Sequence, residues 1–234
     1  LEIRIAGTPI AVIMRTPGAD EDLVRGFAIT EAIVSGPSQI SAITAVPLDP
    51  DDNRWELTLT VTVDPGQFSR NFYATSSCGV CGKASIDAVR ISGAAPPDGP
   101  AVTAEVILSL PGIMRRAQAT FETTGGLHAA ALFEPDGHLI AIREDIGRHN
   151  AVDKVIGAVA RERWPLGEVI LMVSGRVSFE ITQKAAVAGI PVVAAVSAAS
   201  SLAVELAEEM GMTVIGFLRD DSLNVYTGGQ RLVA

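Results

Sequence analysis

Strict alternation marks one element at once: Trp55, Leu57, Leu59, Val61 and Val63 are apolar, while Glu56, Thr58, Thr60 and Thr62 between them are polar. This predicts a half-buried strand. Upstream, Ile3 and Ile5 and then residues 10–14 flank Gly7-Thr8-Pro9, the pattern of a hairpin. Asp20 is expected to cap a helix with an acidic first turn, in which Leu23, Phe27 and residues 29–34 supply the apolar positions before Gly36-Pro37 ends it. Residues 92–100, Ser-Gly-Ala-Ala-Pro-Pro-Asp-Gly-Pro, have linker composition. They divide the chain into a small α+β unit, 1–100, and a larger α/β domain, 101–234.

In the second unit Thr103 can cap a helix and Pro111 can open another, running to about residue 121. Strands are expected from 127 to 133 and, after the turn Pro135-Asp136-Gly137, to Arg143, followed by a helix carrying Val152, Val155, Ile156 and Val159. The last third holds three short β-branched runs, 169–173, 192–196 and 214–218, separated by helical stretches that end at Gly189 and Gly211. That order is βαβαβ, hence a parallel sheet. Right-handed crossovers bring Ser174-Gly175-Arg176, residues 197–201 and Arg219-Asp220-Asp221 to one edge, where open α/β sheets bind ligands. Helix starts near Ser178 and Ser201 favour anions there, although ordinary capped loops read the same way.

With 48% apolar and 19% charged positions in 234 residues, the chain has material for a real core and is not a disordered segment. A net charge of −9 without a basic run argues against wrapping nucleic acid. The apolar stretch 190–196 falls far short of the roughly 20 residues of a membrane-spanning helix, and residues 1–4 lack signal-peptide character. A soluble, cytoplasmic protein without membrane contact is expected. The chain opens without Met on an expected strand, which leaves room for a native N-terminal segment ahead of it.

Two cysteines, Cys78 and Cys81, cannot build a secreted disulfide framework. They sit in Ser76-Ser77-Cys78-Gly79-Val80-Cys81-Gly82-Lys83, whose small residues suit an exposed loop and whose lysine raises the thiolate fraction. Reactive thiols, half of a zinc site completed by a second subunit, and a chance pair all remain open from the pattern. A dithiol oxidoreductase is disfavoured by Ser77 and Gly82 beside the pair. A zinc deaminase would need His-x-Glu followed by Pro-Cys-x-x-Cys, and neither His128, His138 nor His149 supplies the glutamate. Two polar clusters interrupt apolar surroundings, Thr124-Gly-Gly-Leu-His128 and Glu144-Asp-Ile-Gly-Arg-His-Asn150. Turn and cap chemistry accounts for Gly125-Gly126, Asp145 and Asn150, but not for Arg148 and His149. His138, after Asp136-Gly137, is expected to be merely exposed.

Longer motifs carry a resemblance. Arg70-x4-Thr75-Ser-Ser-Cys-Gly-x-Cys-Gly82, Thr124-Gly-Gly-Leu-His-Ala-Ala-Ala-Leu132, Glu144-Asp-Ile-Gly-Arg-His-Asn-Ala-Val-Asp-Lys154, Ser174-Gly-Arg-x-Ser-Phe-Glu180, and Gly216-Phe-x-Arg219 through Asn224-Val-Tyr-Thr227 resemble the FdhD family of formate dehydrogenase accessory sulfurtransferases. The resemblance implies a three-layer, cytidine-deaminase-like α/β domain. It implies that sulfur from a cysteine desulfurase is carried as a cysteine persulfide and passed to the molybdenum cofactor, in its bis-guanine-dinucleotide form, before insertion into formate dehydrogenase. Cys78 matches the persulfide-bearing position and Cys81 its companion, and a homodimer without a resident metal is expected. The family's cofactor segment falls on Phe217, Leu218, Arg219, Asp220, Asp221 and Ser222, where many relatives carry a basic residue in place of Ser222. Arg176, Ser200, Ser201, His128, Arg148 and His149 complete the expected cofactor site, for which GDP is a partial analogue. Two alternatives stay open: a non-enzymatic carrier of the molybdenum cofactor, and a zinc-bridged structural dimer.

Overall fold

The computed structural model describes residues 1–46, 53–68 and 98–233. Strands β1 (Glu2–Ile5) and β2 (Thr8–Val12) form the expected hairpin. Its turn is Ala6-Gly7, both with positive φ of 49° and 74°, one residue earlier than the Gly-Thr-Pro signal suggested. A two-residue turn with both residues left-handed matches the twist of the paired strands. Pro9 then falls in β2 on the sheet edge, where its missing N–H costs no ladder bond.

Helix α1 (Asp20–Thr30) differs from expectation at both ends. Its N-cap is Ala19, in left-handed conformation, and Asp20 does not cap because its Oδ2 accepts from Arg15 Nη2 at 2.8 Å. The helix stops at Thr30 rather than near residue 34, since the chain reverses at Ala32 (φ 56°) and the N–H groups of Ile33 and Val34 both return to the Ala28 carbonyl. That reversal puts Ile33 and Val34 into the core. Strands β3 (Ile40–Ala45) and β4 (Arg54–Leu59) complete a four-stranded sheet in the order β2-β1-β4-β3. The alternation from Trp55 continues past the strand, because the ladder ends where Ile40 pairs Leu59.

After β5 (Val102–Thr103), Thr103 Oγ1 caps α2 (Ala104–Ala117) by accepting from Val106 N. Pro111 lies inside this helix instead of opening another. The helix forgoes one hydrogen bond there, and the stripe Ile107, Leu110 and Met114 holds it on the core. The short α3 (Ala119–Thr124) follows.

Strands β6 (His128–Phe133) and β7 (Leu139–Asp145), helix α4 (Arg148–Ala160), β8 (Ile170–Val173), α5 (Phe179–Val187), β9 (Val192–Ala195), α6 (Ser201–Glu209), β10 (Thr213–Gly216) and β11 (Asn224–Thr227) form the main body. Its sheet runs β11-β10-β9-β8-β6-β7, with β8, β9 and β10 parallel as expected and the flanking pairs antiparallel. Gly189 and Gly211, with φ of 75° and 66°, stand just past α5 and α6 as the sequence suggested. Strand β12 (Leu232–Val233) returns to pair with β5.

Alternating residues of the buried strands serve two cores. Leu171, Val173, Val193 and Ala195 face α4, α5 and α6, whereas Ile170, Met172, Val192 and Ala194 face α2. The result is three layers, helix on sheet on helix. The hairpin sheet and α1 form their own cluster, to which Ala160 of α4 contributes.

Contact between α1 and α4 is backbone against backbone. A Cβ on Gly26 would overlap the Asp153 carbonyl, and one on Gly157 would overlap the Asp22 carbonyl. Only glycine permits that approach. Beside the crossing, Lys184 Nζ reaches Glu31 Oε1 at 2.7 Å and Thr30 Oγ1 at 3.0 Å, and Thr30 Oγ1 donates to Asp153 Oδ1 at 2.7 Å. Among the described residues no helix is long and apolar enough to cross a membrane.

Candidate functional site

Because β6 runs antiparallel to β8, His128 at its start arrives at the same edge as the C-terminal ends of β8, β9 and β10. Asp145, at the end of β7, pairs with His128 in register, so the Asp145-Ile146-Gly147-Arg148-His149 turn opens at that edge too. The two polar clusters therefore meet at one edge. Gly175, leaving β8, is buried between them: a Cβ there would stand 3.3 Å from His128 Nδ1 and 3.5 Å from Arg148 Cδ. The loops after β8 and β9 are laced together, Val177 N donating to Ala198 O and Ser200 N to Val177 O, each at 3.0 Å.

Two helices begin here with no side-chain cap, α4 at Gly147 and α5 at Ser178. The first-turn N–H groups of α4 are therefore without a capping side chain, whereas in α5 the Glu180 N–H is taken by its own carboxylate; an uncapped terminus carries partial positive charge. Ser178 does not cap because its Oγ is engaged elsewhere, 3.1 Å from His149 Nε2 and bonded to the Glu180 carboxylate. With the Ser178 O–H donating to that carboxylate, its oxygen accepts from the ring, so Nε2 is the donor and Nδ1 keeps an acceptor lone pair.

His149 is held neutral at physiological pH. Burial, then repulsion from Lys184 and Arg148, lowers its pKa to about 4 against the attraction of Glu180 and Glu31. His128 is likewise lowered, by burial and then by Arg148. Glu180 is shifted down: burial opposes its ionisation, but the Ser178 hydrogen bond, a backbone N–H, His149 and Arg148 outweigh it. Arg148 Nε is buried with no hydrogen-bond partner among the described residues. Arg176 is exposed on the adjoining loop. An uncommitted guanidinium N–H, the open start of α4 and neutral imidazoles suit an anion such as phosphate.

The far side of the edge carries the other expected cofactor residues. Phe217 has φ of 51° and is 42% exposed, an uncommon backbone for an aromatic side chain held out toward solvent. Its N–H donates to Ser197 O at 3.1 Å, so the strand end is tied to the β9 loop. Leu218 turns inward to the α2 core. Arg219 Nη1 donates to the carbonyls of Val196 at 2.7 Å and Leu218 at 2.8 Å, which occupies part of its guanidinium. Ser200 Oγ caps α6 by accepting from Ala203 N at 3.3 Å, while Ser201, Asp220, Asp221 and Ser222 are exposed. Cys78, Cys81 and Lys83 lie outside the described residues.

Sequence reasoning missed Glu180, which it read only as part of a motif, and the role of Asp145. The latter caps no helix in the ordinary way: it accepts from the N-cap residue itself, Gly147 N, at 2.9 Å. Elsewhere, a groove of about 550 Å³ lies at the opposite end of α4, lined among others by Arg25, Ser41, Arg161 and Trp164.

The fold and edge define a mixed α/β protein with an anion-favouring mouth at the strand C-termini. The family model described as the FdhD/NarQ family matches residues 1–233, and the chain belongs to that family. It is similar to the sulfur carrier protein FdhD of Mycobacterium tuberculosis, 53% identical over 245 residues, covering 99% of this chain and 89% of the relative. The sulfur carrier protein FdhD of Sulfolobus acidocaldarius is 43% identical over 235 residues, with 99% and 88% covered. A crystal structure of a candidate formate dehydrogenase accessory protein from Desulfotalea psychrophila superposes with a TM-score of 0.79 at 22% identity, covering 99% of this chain and 87% of that one. At that identity the likeness speaks to the fold.

Proposed function

We propose that this protein is a sulfurtransferase of formate dehydrogenase maturation, carrying sulfur from a cysteine desulfurase to the molybdenum cofactor in its bis-guanine-dinucleotide form. Family membership and the names of the relatives support the sulfur-carrying half. The observation that carries the cofactor half is the convergence of Arg148 and His128 on buried Gly175, with His149 against Ser178 and the uncapped starts of α4 and α5 at the same edge. A guanine dinucleotide brings diphosphates and flat rings. Diphosphate oxygens match the open N–H groups and Arg148 and Arg176, and exposed Phe217 offers a face for ring stacking. Asp220 and Asp221 offer acceptors for a guanine edge, and Ser200 and Ser201 flank a third helix start.

In this reading Cys78 is the carrier. Its thiolate attacks the sulfane sulfur of the donor's persulfide, a Cys78 S–S bond forms as the donor's S–S bond breaks, and the donor leaves as a thiolate. No net oxidation occurs. Cys81 is its companion, the site serves the cytoplasm, and the protein works as a homodimer with a cytidine-deaminase-like main domain. Units 1–100 and 101–234 divide the work between the Cys-x-x-Cys loop and the cofactor edge.

Calorimetry with GDP tests the cofactor half. Binding that Arg148→Ala weakens by at least about 1.5 kcal/mol, the low end for a charge-assisted hydrogen bond, is expected. Equal affinity for GDP and ADP, or no effect of Arg148→Ala and Arg176→Ala together, would place the cofactor elsewhere.

A further inference from the structure

Asp145 has no contact with the surface, yet it sits two residues before a helix start that the proposed function needs. Burying a carboxylate is costly unless its oxygens are satisfied. Here all are. Oδ2 accepts from Thr16 N at 3.0 Å and pairs with Lys154 Nζ at 2.7 Å, while Oδ1 accepts from Gly147 N and from Asn150 Nδ2, both at 2.9 Å. The donors are themselves tied to one strap of the hairpin unit. Lys154 Nζ donates to Thr16 O at 2.8 Å, Asn150 Nδ2 to Met14 O at 2.8 Å, and Ile146 N to Thr16 Oγ1 at 2.9 Å.

We propose that Asp145 is a positioning residue, whose carboxylate fixes the Gly147-Arg148-His149 turn at the sheet edge by knotting it to Lys154, Asn150 and the strap at residues 14–16. The inference rests on the proposed function for its purpose, and on the geometry alone for its mechanism.

Placement of the acid distinguishes this from ordinary capping. An Asp at the N-cap would accept from the second or third N–H of the helix and consume the donors an anion uses. Asp145 accepts from the N-cap residue's own N–H and from a side-chain amide, so it holds the helix start rigidly while leaving the first-turn donors open. Gly147 belongs to the device: a Cβ there would stand 2.9 Å from Asn150 Nδ2. His149, two residues on, is thereby seated against Ser178, Glu180 and Lys184 of α5, with Arg148 beside it and Glu31 behind. Its burial there is what suppresses its protonation.

The test reads that seating without any ligand. The chain has three histidines, so NMR can follow each imidazole through a pH titration. In the parent, the His149 midpoint is expected near 4. In Asp145→Asn, which puts an amide donor against N–H donors and strands Lys154, its midpoint is expected to rise by at least about one pH unit toward the free-imidazole value. Asn150→Ala leaves the Asp145 and Lys154 pair intact and gives a smaller rise in the same direction, which keeps the test available should Asp145→Asn not fold. GDP affinity is measured on the same samples and is expected to fall at least about tenfold in Asp145→Asn, the scale of one charge-assisted hydrogen bond. Loss of thermal stability with the His149 midpoint unchanged in both variants would reduce Asp145 to a structural residue and overturn the proposal. A parent that binds no GDP while its His149 midpoint moves as expected would contradict the cofactor site and leave the positioning role standing.

Discussion

Lys184 Nζ lies 2.9 Å from one carboxylate oxygen of Asp153 and 3.0 Å from the other, with both side chains buried where α1, α4 and α5 meet. Burial disfavours the charge on Lys184, but Asp153 and Glu31 overrule it and raise its pKa. Removing one partner strands the other in a low-dielectric site. Lys184→Met is therefore expected to cost about 3–5 kcal/mol in urea unfolding, whereas the double change Lys184→Met with Asp153→Leu costs clearly less than the sum of the two single changes. Additive losses would show that the pair is not coupled.

The glycine crossing gives a second, independent handle. Gly157→Ala must push α4 off the Asp22 carbonyl of α1, since the new methyl group would meet backbone rather than a movable side chain. A loss of about 1–3 kcal/mol or more is expected. Gly211→Ala, where nothing lies near but φ is 66°, is a control that strains conformation alone. A Gly157→Ala protein as stable as the parent would rule out the close approach.

Acid sensitivity follows from His149. Its folded pKa of about 4 lies below the free value, so the unfolded chain binds more protons between these limits and the group's contribution to stability is lost as pH falls from about 6.5 toward 4. Asp153 acts oppositely: burial first, then Glu31, raises its pKa to about 6 against the pull of Lys184, which favours the folded state as pH falls through the same window. The total curve therefore hides the histidine. The difference between parent and His149→Gln exposes it, and the parent is expected to lose more stability than the variant between pH 6.5 and 4. Parallel curves would contradict a buried neutral imidazole.

Much of this was legible in the sequence where one physical signal acted alone. The β-branched runs of β8, β9 and β10, with glycines after α5 and α6, spelled the parallel unit and the edge where its strands end, and Arg148 and His149 stood out because no cap needs them. What was not legible depended on partners far along the chain. Gly26 and Gly157 carry no periodic signal, and their meaning appears only when α1 lies on α4. The true start of α1 turned on Arg15 claiming Asp20. Pro111 read as a helix start because its local preference is strong, yet the buried stripe Ile107, Leu110 and Met114 overrode it. Asp145 read as a cap, because nothing local announces that Thr16, 129 residues earlier, supplies one of its donors.

Mass spectrometry of the intact protein after incubation with a cysteine desulfurase and cysteine decides whether this chain takes up sulfur as proposed. The expected product is a species one sulfur atom heavier, removed by a reducing thiol, mapped to the peptide bearing Cys78 and lost in Cys78→Ser. Sulfur uptake that persists undiminished in the Cys78→Ser, Cys81→Ser double variant, or a parent that takes up none under conditions that load an established acceptor, would contradict the proposal.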